Sequence, residues 1–444
     1  MKRKAFAVAV ALFAALANAE PHRASSPGPL PLRDATIENN ASCDITTSPA
    51  ATLLLPYFEV ETGKHVTEAK NTIFSVINTS RVPQIARVTI WSDQGYPALW
   101  FNVFLTGFSV ESISLYDVLV NGAIPQTSNQ VAHGARSAGN GDNPRFVALE
   151  SCGSTGGALS KEVLANVQSI LTNGTGASAG CSVGSVHENA AGYVTIDVVN
   201  SCSNLSPLEI GYYSQVLLYD NVLTGDFERI DPDTQSGNFA GGNPLVHLKA
   251  IPEGGGATST TALPFTFYDR FTPPGARRID RRQPLPASFA ARFIQGGTAK
   301  FFTDFVLWRE GAAPGRSSCT TANAAMGFDP AVRFDEDENP TVVASSALSN
   351  SPVAVSVATT SAMFPPLTGY SVTGWIIVNL DNHAGMRAAG PGNPYSSQRS
   401  SQNWLMVRLS AEGRYAVDYD ATQLRNGCFT NAPVTSLVKV RRDQ

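Results

Sequence analysis

The feature that most restricts this chain is a succession of short apolar runs with a two-residue period, separated by turn residues. In Ala86, Val88 and Ile90 the apolar side chains fall on one face, while Arg87 and Thr89 point the other way. Successive side chains of a strand alternate in direction, so the run 85–93 reads as a strand. Similar runs occupy 71–80, 100–107, 108–119, 192–200, 210–225 and 244–251, and later 300–310, 351–360, 373–381, 403–410 and 414–421. A short turn around Gly413 joins the last two as a hairpin. The pattern predicts a mainly β chain, with β-sandwich or jelly-roll-like sheets. One segment breaks the period. In 158–174 the residues Val163, Leu164, Val167, Ile170 and Leu171 share a helical face, with Ser160 placed to cap it and Gly174 to end it. It reads as a single helical insert near 159–173, packed on a core.

The first residues bear on where such a chain works. Lys2, Arg3 and Lys4 precede the apolar run Ala5–Leu16, and Ala17-Asn18-Ala19 has the A-x-A form of a cleavage site. Residues 1–19 are therefore expected to be a signal peptide, and 20–42 a Pro-rich flexible leader. The apolar run falls short of the roughly 20 residues of a spanning helix, so no membrane span is expected. Organisation follows as an N-terminal β domain at 43–251, a Gly/Thr-rich linker at 252–264 and a C-terminal β domain at 265–444.

Six cysteines, Cys43, Cys152, Cys181, Cys202, Cys319 and Cys428, make an even set in an exported chain and predict disulfides. No C-x-x-C or zinc-type spacing occurs. Whether Cys181 pairs with Cys202 or with Cys152 stays open. Charged residues are only 15%, with a formal net charge of −4, and removing Lys2, Arg3 and Lys4 makes the chain more acidic. That balance gives no reason to expect a nucleic-acid partner.

Candidate chemistry is sparse. Gly180-Cys181-Ser182-Val183-Gly184 fits G-x-S-x-G, with His187 five residues on. A nucleophile elbow needs a strand before the serine and a helix after it. Here a helix and polar loop precede Ser182 and a strand follows, so a structural role is expected and no catalytic residue is assigned. The other histidines, His22, His65, His133, His247 and His383, form no ligand pair. Within 333–340, Asp335, Asp337 and Asn339 offer hard oxygens of the kind calcium takes, without the glycine and final glutamate of an EF-hand. No other cofactor is expected. Glycoside hydrolysis needs two facing carboxylates, and Asp220, Asp226, Asp231, Asp269, Asp304, Glu310, Asp418 and Asp420 are available. Trp91, Trp100, Trp308, Trp375 and Trp404 lie in strand runs and are expected in the core. The alternative for Trp91, Tyr96 and Trp100 is a sugar-stacking platform. Arg270, Arg277, Arg278, Arg281 and Arg282 sit among prolines in 269–286, which reads as an exposed connection. The long polar loop 381–402 is where contacts are expected.

The stretches ATLLLPYFEVE, GYVTIDVVNSC, PLPASFAARFI, TDFVLWREG and NWLMVRLSAEGRYAVDYDATQLRNGC resemble a group of exported bacterial proteins of mostly-β fold with no assigned activity. The resemblance covers most of the mature chain and implies a periplasmic, cell-surface or extracellular setting. It transfers no catalytic motif. The function expected is that of a secreted or cell-envelope non-catalytic protein, structural or ligand-binding, with an extracellular glycan or protein as partner. The alternative is a secreted hydrolase acting on glycans.

Overall fold

The computed structural model describes residues 44–128, 154–176, 182–232, 242–251, 253, 263, 266–268, 280–286, 288–310, 331–343, 355–356, 372–380, 402–411 and 415–424. The loop 381–402 lies outside them except for its last residue, as does most of 252–264. Residues Ala35–Gln444 belong to one compact unit.

The chain is mainly β, in several antiparallel sheets. The first half contributes β1 (Thr52–Val60), β2 (Asn71–Asn78), β3 (Gln84–Ser92), β4 (Pro97–Leu105), β5 (Val110–Ser114), β6 (Ala123–Ser128), β7 (Ser154–Ala158), β8 (Ala190–Val199), β9 (Leu223–Thr224), β10 (Asp226–Ile230), β11 (Gly242–Pro244) and β12 (Val246–Leu248). The helices α1 (Leu115–Leu119) and α2 (Lys161–Asn173) interrupt this series. The second half contributes β13 (Ser288–Gln295), β14 (Phe301–Glu310), β15 (Ala331–Asp335), β16 (Pro340–Val343), β17 (Val355–Ser356), β18 (Val372–Asn379), β19 (Gln402–Ala411), β20 (Tyr415–Asp420) and β21 (Thr422–Gln423). Strand order is β12-β1-β8-β3-β4 in one sheet and β11-β10-β2-β5 in a second, which β9 joins through β2. The second half forms β16-β15-β18-β13-β21 and β17-β14-β19-β20. One continuous apolar core runs through both halves, from Leu53 and Ile90 to Trp308 and Val407.

The sheet of β1, β8 and β3 is buried on both faces, which alternation alone does not foresee. All nine residues of β3 and all ten of β8 are buried. Arg87, expected on the face opposite Ala86, Val88 and Ile90, is fully buried, and its guanidinium donates to the Ser203 and Leu205 carbonyls at 2.9 and 3.0 Å. The segment after β8 folds back over this face and supplies the acceptors that a buried guanidinium requires.

Two expected strands are corrected. In 108–119 only β5 is extended; Ser114 then caps α1, its hydroxyl accepting from the Asp117 amide at 3.3 Å. In 210–225 the chain makes a π-helical turn at Tyr212–Val216. Tyr212 and Tyr213 are both fully buried and consecutive. The turn closes through the Leu217 amide, which donates to the Tyr212 carbonyl at 3.2 Å.

The helical insert forms with the expected caps. Ser160 Oγ accepts from the Val163 amide at 3.3 Å, and Gly174 ends α2 at φ 64°. A Cβ at Gly174 would lie 2.0 Å from the Gly184 carbonyl oxygen, so only glycine fits. Val167, Ile170 and Leu171 face the core, but Val163 is exposed. Among the described residues no helix is long and apolar enough to cross a membrane.

Candidate functional site at the seam of the two halves

The Ser182 stretch is a clamp. Val183 N donates to the Gly174 carbonyl at 2.7 Å and His187 N to that of Thr172 at 2.7 Å, tying the loop to the end of α2. The buried Asp93, just after β3, accepts the Ser185 amide at 2.9 Å with one oxygen and faces His187 Nε2 at 3.0 Å with the other. Ser92 Oγ donates to the Val183 carbonyl at 2.5 Å. Ser182 Oγ donates to the Gly184 carbonyl at 2.9 Å and not to the imidazole. The motif has a helix before it and β8 after it, and Asp93 and His187 together hold a loop in place.

Two clusters of buried charge lie deeper. The first centres on Asp197 of β8. Its carboxylate accepts from Thr52 Oγ1 at 2.6 Å, Tyr212 OH at 2.7 Å and Tyr268 OH at 2.9 Å, and Arg282 Nε lies 3.6 Å away. Arg282 also bonds Thr52 Oγ1, the Asp280 carboxylate at 3.0 Å and the Leu218 carbonyl at 3.1 Å. Burial raises the Asp197 pKa, against the pull of Arg282 and the three hydroxyls. Burial would depress Arg282, but Asp280 and Asp197 outweigh it and hold the guanidinium charged. The expected exposed connection at 269–286 is thereby corrected for its described end. Asp280 and Arg282 are fully buried and Arg281 nearly so, because the Thr52 hydroxyl, the Asp197 carboxylate and the Leu218 carbonyl meet Arg282 from three other segments. Arg270, Arg277 and Arg278 lie outside the described residues.

The second cluster is a cross-strand row. Register places Asp304 of β14 opposite Arg408 of β19, and Arg408 opposite Asp418 of β20. All three point toward the first half, whose β10 sends Arg229 to meet them. Arg229 Nε and Nη2 donate to the same oxygen of Asp418 at 2.8 and 2.6 Å. Arg408 stands 3.9 Å from each of Asp304 and Asp418, too far to hydrogen-bond. Asp304 Oδ1, Asp418 Oδ1 and Arg408 Nε are consequently buried without hydrogen-bond partners. Asp420 follows on β20, accepting Trp404 Nε1 at 2.9 Å and Asn243 Nδ2 at 3.4 Å. Burial pushes its pKa up to about 6. Burial likewise raises Asp304, with Arg408 opposing.

From this row a polar path leads outward through Tyr57 of β1. Burial raises the phenol pKa, with Glu59 adding to the effect and Arg408 and Arg229 opposing it. Its hydroxyl donates to Glu59 at 3.3 Å, and Glu59 also accepts from Asn189 at 2.6 Å and Lys70 at 3.3 Å. Burial opposes ionisation of Glu59, but Lys70 and the Asn189 bond prevail and lower its pKa. The carboxylates of the row are acid–base groups by type. Asp304 and Asp418 are only 7% and 4% exposed.

The remaining sequence candidates scatter. Asp335, Asp337 and Asn339 sit in the turn between β15 and β16. Asp335 there accepts the Asp337 and Asn339 amides at 3.0 and 2.8 Å and the Asn339 side-chain amide at 3.0 Å. That Asn339 turns its NH₂, a donor, toward Asp335 describes an Asx-type turn. Among the described residues no three His, Cys, Asp or Glu side chains are grouped to hold a metal. His247 is buried against the Ser48 carbonyl at 2.8 Å, and burial lowers its pKa. His22, His133 and His383 lie outside the described residues. Asp226 bonds Ser75, and Asp231 stands 3.9 Å from Lys70. Trp91, Trp308 and Trp404 are core residues as expected, which removes Trp91 from any sugar platform. Trp375, also expected inside, is 45% exposed. Its strand is buried on one face only, so the ring falls on the outer one. Cys202 is disulfide-bonded, and the other five cysteines lie outside the described residues.

Sequence reading had Asp304, Asp418 and Asp420 among its carboxylates but missed Arg229 and Arg408. The available signal was parity. In Trp404, Met406 and Arg408, and in Asp418 and Asp420, charge occupies the positions that alternation assigns to the core. No protein family, curated protein or solved structure matches the chain.

Proposed function

We propose that this chain is an exported, non-catalytic protein of the cell envelope or exterior, structural or ligand-binding. The observation that carries the reading is the Asp304–Arg408–Asp418 row with Arg229. There the carboxylates of Asp304 and Asp418 are buried and face the guanidinium groups of Arg229 and Arg408. The basic, apolar and A-x-A start supports export, and the bonded Cys202 fits an oxidising compartment. The resemblance to exported bacterial proteins points the same way, and the even count of six cysteines adds three disulfides to the proposal. Calcium in the Asp335 turn belongs to the same proposal as an accessory ion.

A hydrolase acting on glycans is the second reading. The orphaned oxygens of Asp304 and Asp418, with Asp304 and Asp420 held above the usual carboxylate range, favour it. Purified full-length chain assayed against a panel of polysaccharides and esters decides between the two. No turnover above control is expected. Turnover abolished by Asp304→Asn or Asp418→Asn, in protein that remains folded, would establish the hydrolase. Denatured but unreduced protein is expected to take up no thiol label, and labelling of two or more cysteines would overturn the disulfide framework.

A further inference from the structure

Three polar atoms on one face of the β3–β4 pair are buried without a hydrogen-bond partner among the described residues: Arg87 Nε, Thr89 Oγ1 and Asn102 Oδ1. Arg87 and Thr89 alternate onto the same face of β3, and both are fully buried. Register sets Asn102 of β4 opposite Arg87, and Trp100 opposite Thr89. The four side chains therefore form a block with edges of roughly 5–7 Å. The Arg87 guanidinium leans along this block toward Trp100, its carbon 5.7 Å from the centre of the indole, and the Tyr212 ring lies 5.1 Å away on another side. Its Nη1 and Nη2 are spent on the Ser203 and Leu205 carbonyls at 2.9 and 3.0 Å. The Nε–H is left over the block, beside Thr89 and Asn102 and beneath the segment that covers them.

The hydrogen-bonding types and the charge select the occupant. One donor, one acceptor and one hydroxyl that can be either meet in this place. Each costs the desolvation of its polar group if nothing bonds it. Asp197 of β8 stands opposite Arg87 in register, and its cluster adds Asp280 and Arg282. Two acids and two guanidiniums balance there. Glu209, the acid of the covering segment, is exposed and accepts the Ser206 amide at 2.7 Å. An anion would meet Asn102 Oδ1, and a metal ion would meet the guanidinium. A small neutral group with hydrogens to give and a lone pair to accept fits all three atoms. We propose that Arg87, Thr89 and Asn102 bind one buried water as an integral part of the fold. The water accepts from Arg87 Nε, donates to Asn102 Oδ1 and bonds the Thr89 hydroxyl, which makes the about three bonds usual for a structural water. It ties the edge strand β4 to Arg87, and Arg87 in turn holds the covering segment that carries the bonded Cys202. The site is independent of whether the chain is catalytic.

The test joins a high-resolution crystal structure of the full chain to urea unfolding of two variants. Density for one water is expected within roughly 3.2 Å of Arg87 Nε and of Thr89 Oγ1 or Asn102 Oδ1. Valine keeps the shape of threonine and lacks its hydroxyl, so Thr89→Val reads the site by sign. Loss of a hydroxyl that bonds a held water lowers the urea midpoint, whereas loss of a hydroxyl with no partner raises it. A lower midpoint is expected. Asn102→Leu should lower it too, and the double variant by less than the two shifts added, because both remove bonds to the same water. A Thr89→Val midpoint at or above that of the parent would overturn the site. So would a structure in which no water stands there, or in which Asn102 turns to bond Arg87 Nε directly. Should Thr89→Val fail to fold, the structure of the parent decides alone.

Discussion

Two clusters of buried charge differ in how completely they are satisfied. Around Asp197 the carboxylate meets three hydroxyls and a guanidinium, and Arg282 finds Asp280, Thr52 and a carbonyl in turn. Around Asp418 one oxygen takes both bonds from Arg229, while the other, like Asp304 Oδ1, has none. Buried charge costs several kcal/mol per ion unless its lone pairs are filled. The first cluster is therefore a staple, which fixes the polar segment 280–283 against β8 and β1. The second leaves acceptor capacity inside the protein, at separations of 3.9 Å that suit a bridging water. Charge near a seam is thus weak grounds for an active site. Access and spare hydrogen-bonding capacity decide what it can do.

A large effect should come from breaking the satisfied cluster. Arg282→Met leaves Asp197 and Asp280 without their cation and should cost about 3–5 kcal/mol, measured by urea unfolding. A loss under 1 kcal/mol would show that the hydroxyls alone carry Asp197, and the contrast between the clusters would vanish.

A change of opposite sign is expected in the second cluster. The folded pKa of Asp420 is about 6, above its ordinary 3.8. The folded state therefore holds a proton that the unfolded state releases between those values. Its contribution to stability is complete below about pH 4, falls as pH rises through 6, and is flat above. Asp420→Asn keeps an acceptor for Trp404 and removes the titration. It should match the parent near pH 3.5 and exceed it by up to about 3 kcal/mol at pH 8, two pH units being worth that much. A pH-independent difference would place the proton elsewhere.

Smaller still is the helix insert. Ser160→Ala removes the cap of α2 and should cost about 1 kcal/mol. Ser182→Ala should fall within about 0.5 kcal/mol of the parent and leave serine-directed probes as unreactive as before. Labelling that disappears in this variant would restore the nucleophile that the clamp geometry denies.

Much of the fold was legible because its signals are local. The alternation in Ala86–Ile90, the caps Ser160 and Gly174, and the hairpin of β19 and β20 each involve neighbours in the chain. The misreadings come from distant partners. The burial of Arg87 was not legible because the segment that covers it begins more than a hundred residues later. Arg282 looked exposed among its prolines because Thr52 and Asp197 are not neighbours in sequence. Tyr212 and Tyr213 looked like strand because the partners of their hydroxyls, Asp197 and the Pro207 carbonyl, leave no trace in a two-residue period. Of the candidate site, the carboxylates were visible and their grouping was not, since the Asp304–Arg408–Asp418 row exists only once three strands are in register.

The central claim is that charge at the seam holds the halves together, and a double-mutant cycle on Arg229 and Asp418 tests it most directly. Urea unfolding of Arg229→Met, Asp418→Leu and the double variant gives their coupling. Each single change is predicted to cost about 3–5 kcal/mol, because it strands a buried charge, and the pair together less than either alone. Single changes that cost under 1 kcal/mol and simply add would mean that Arg229 does not hold Asp418 in the fold, and would contradict the account.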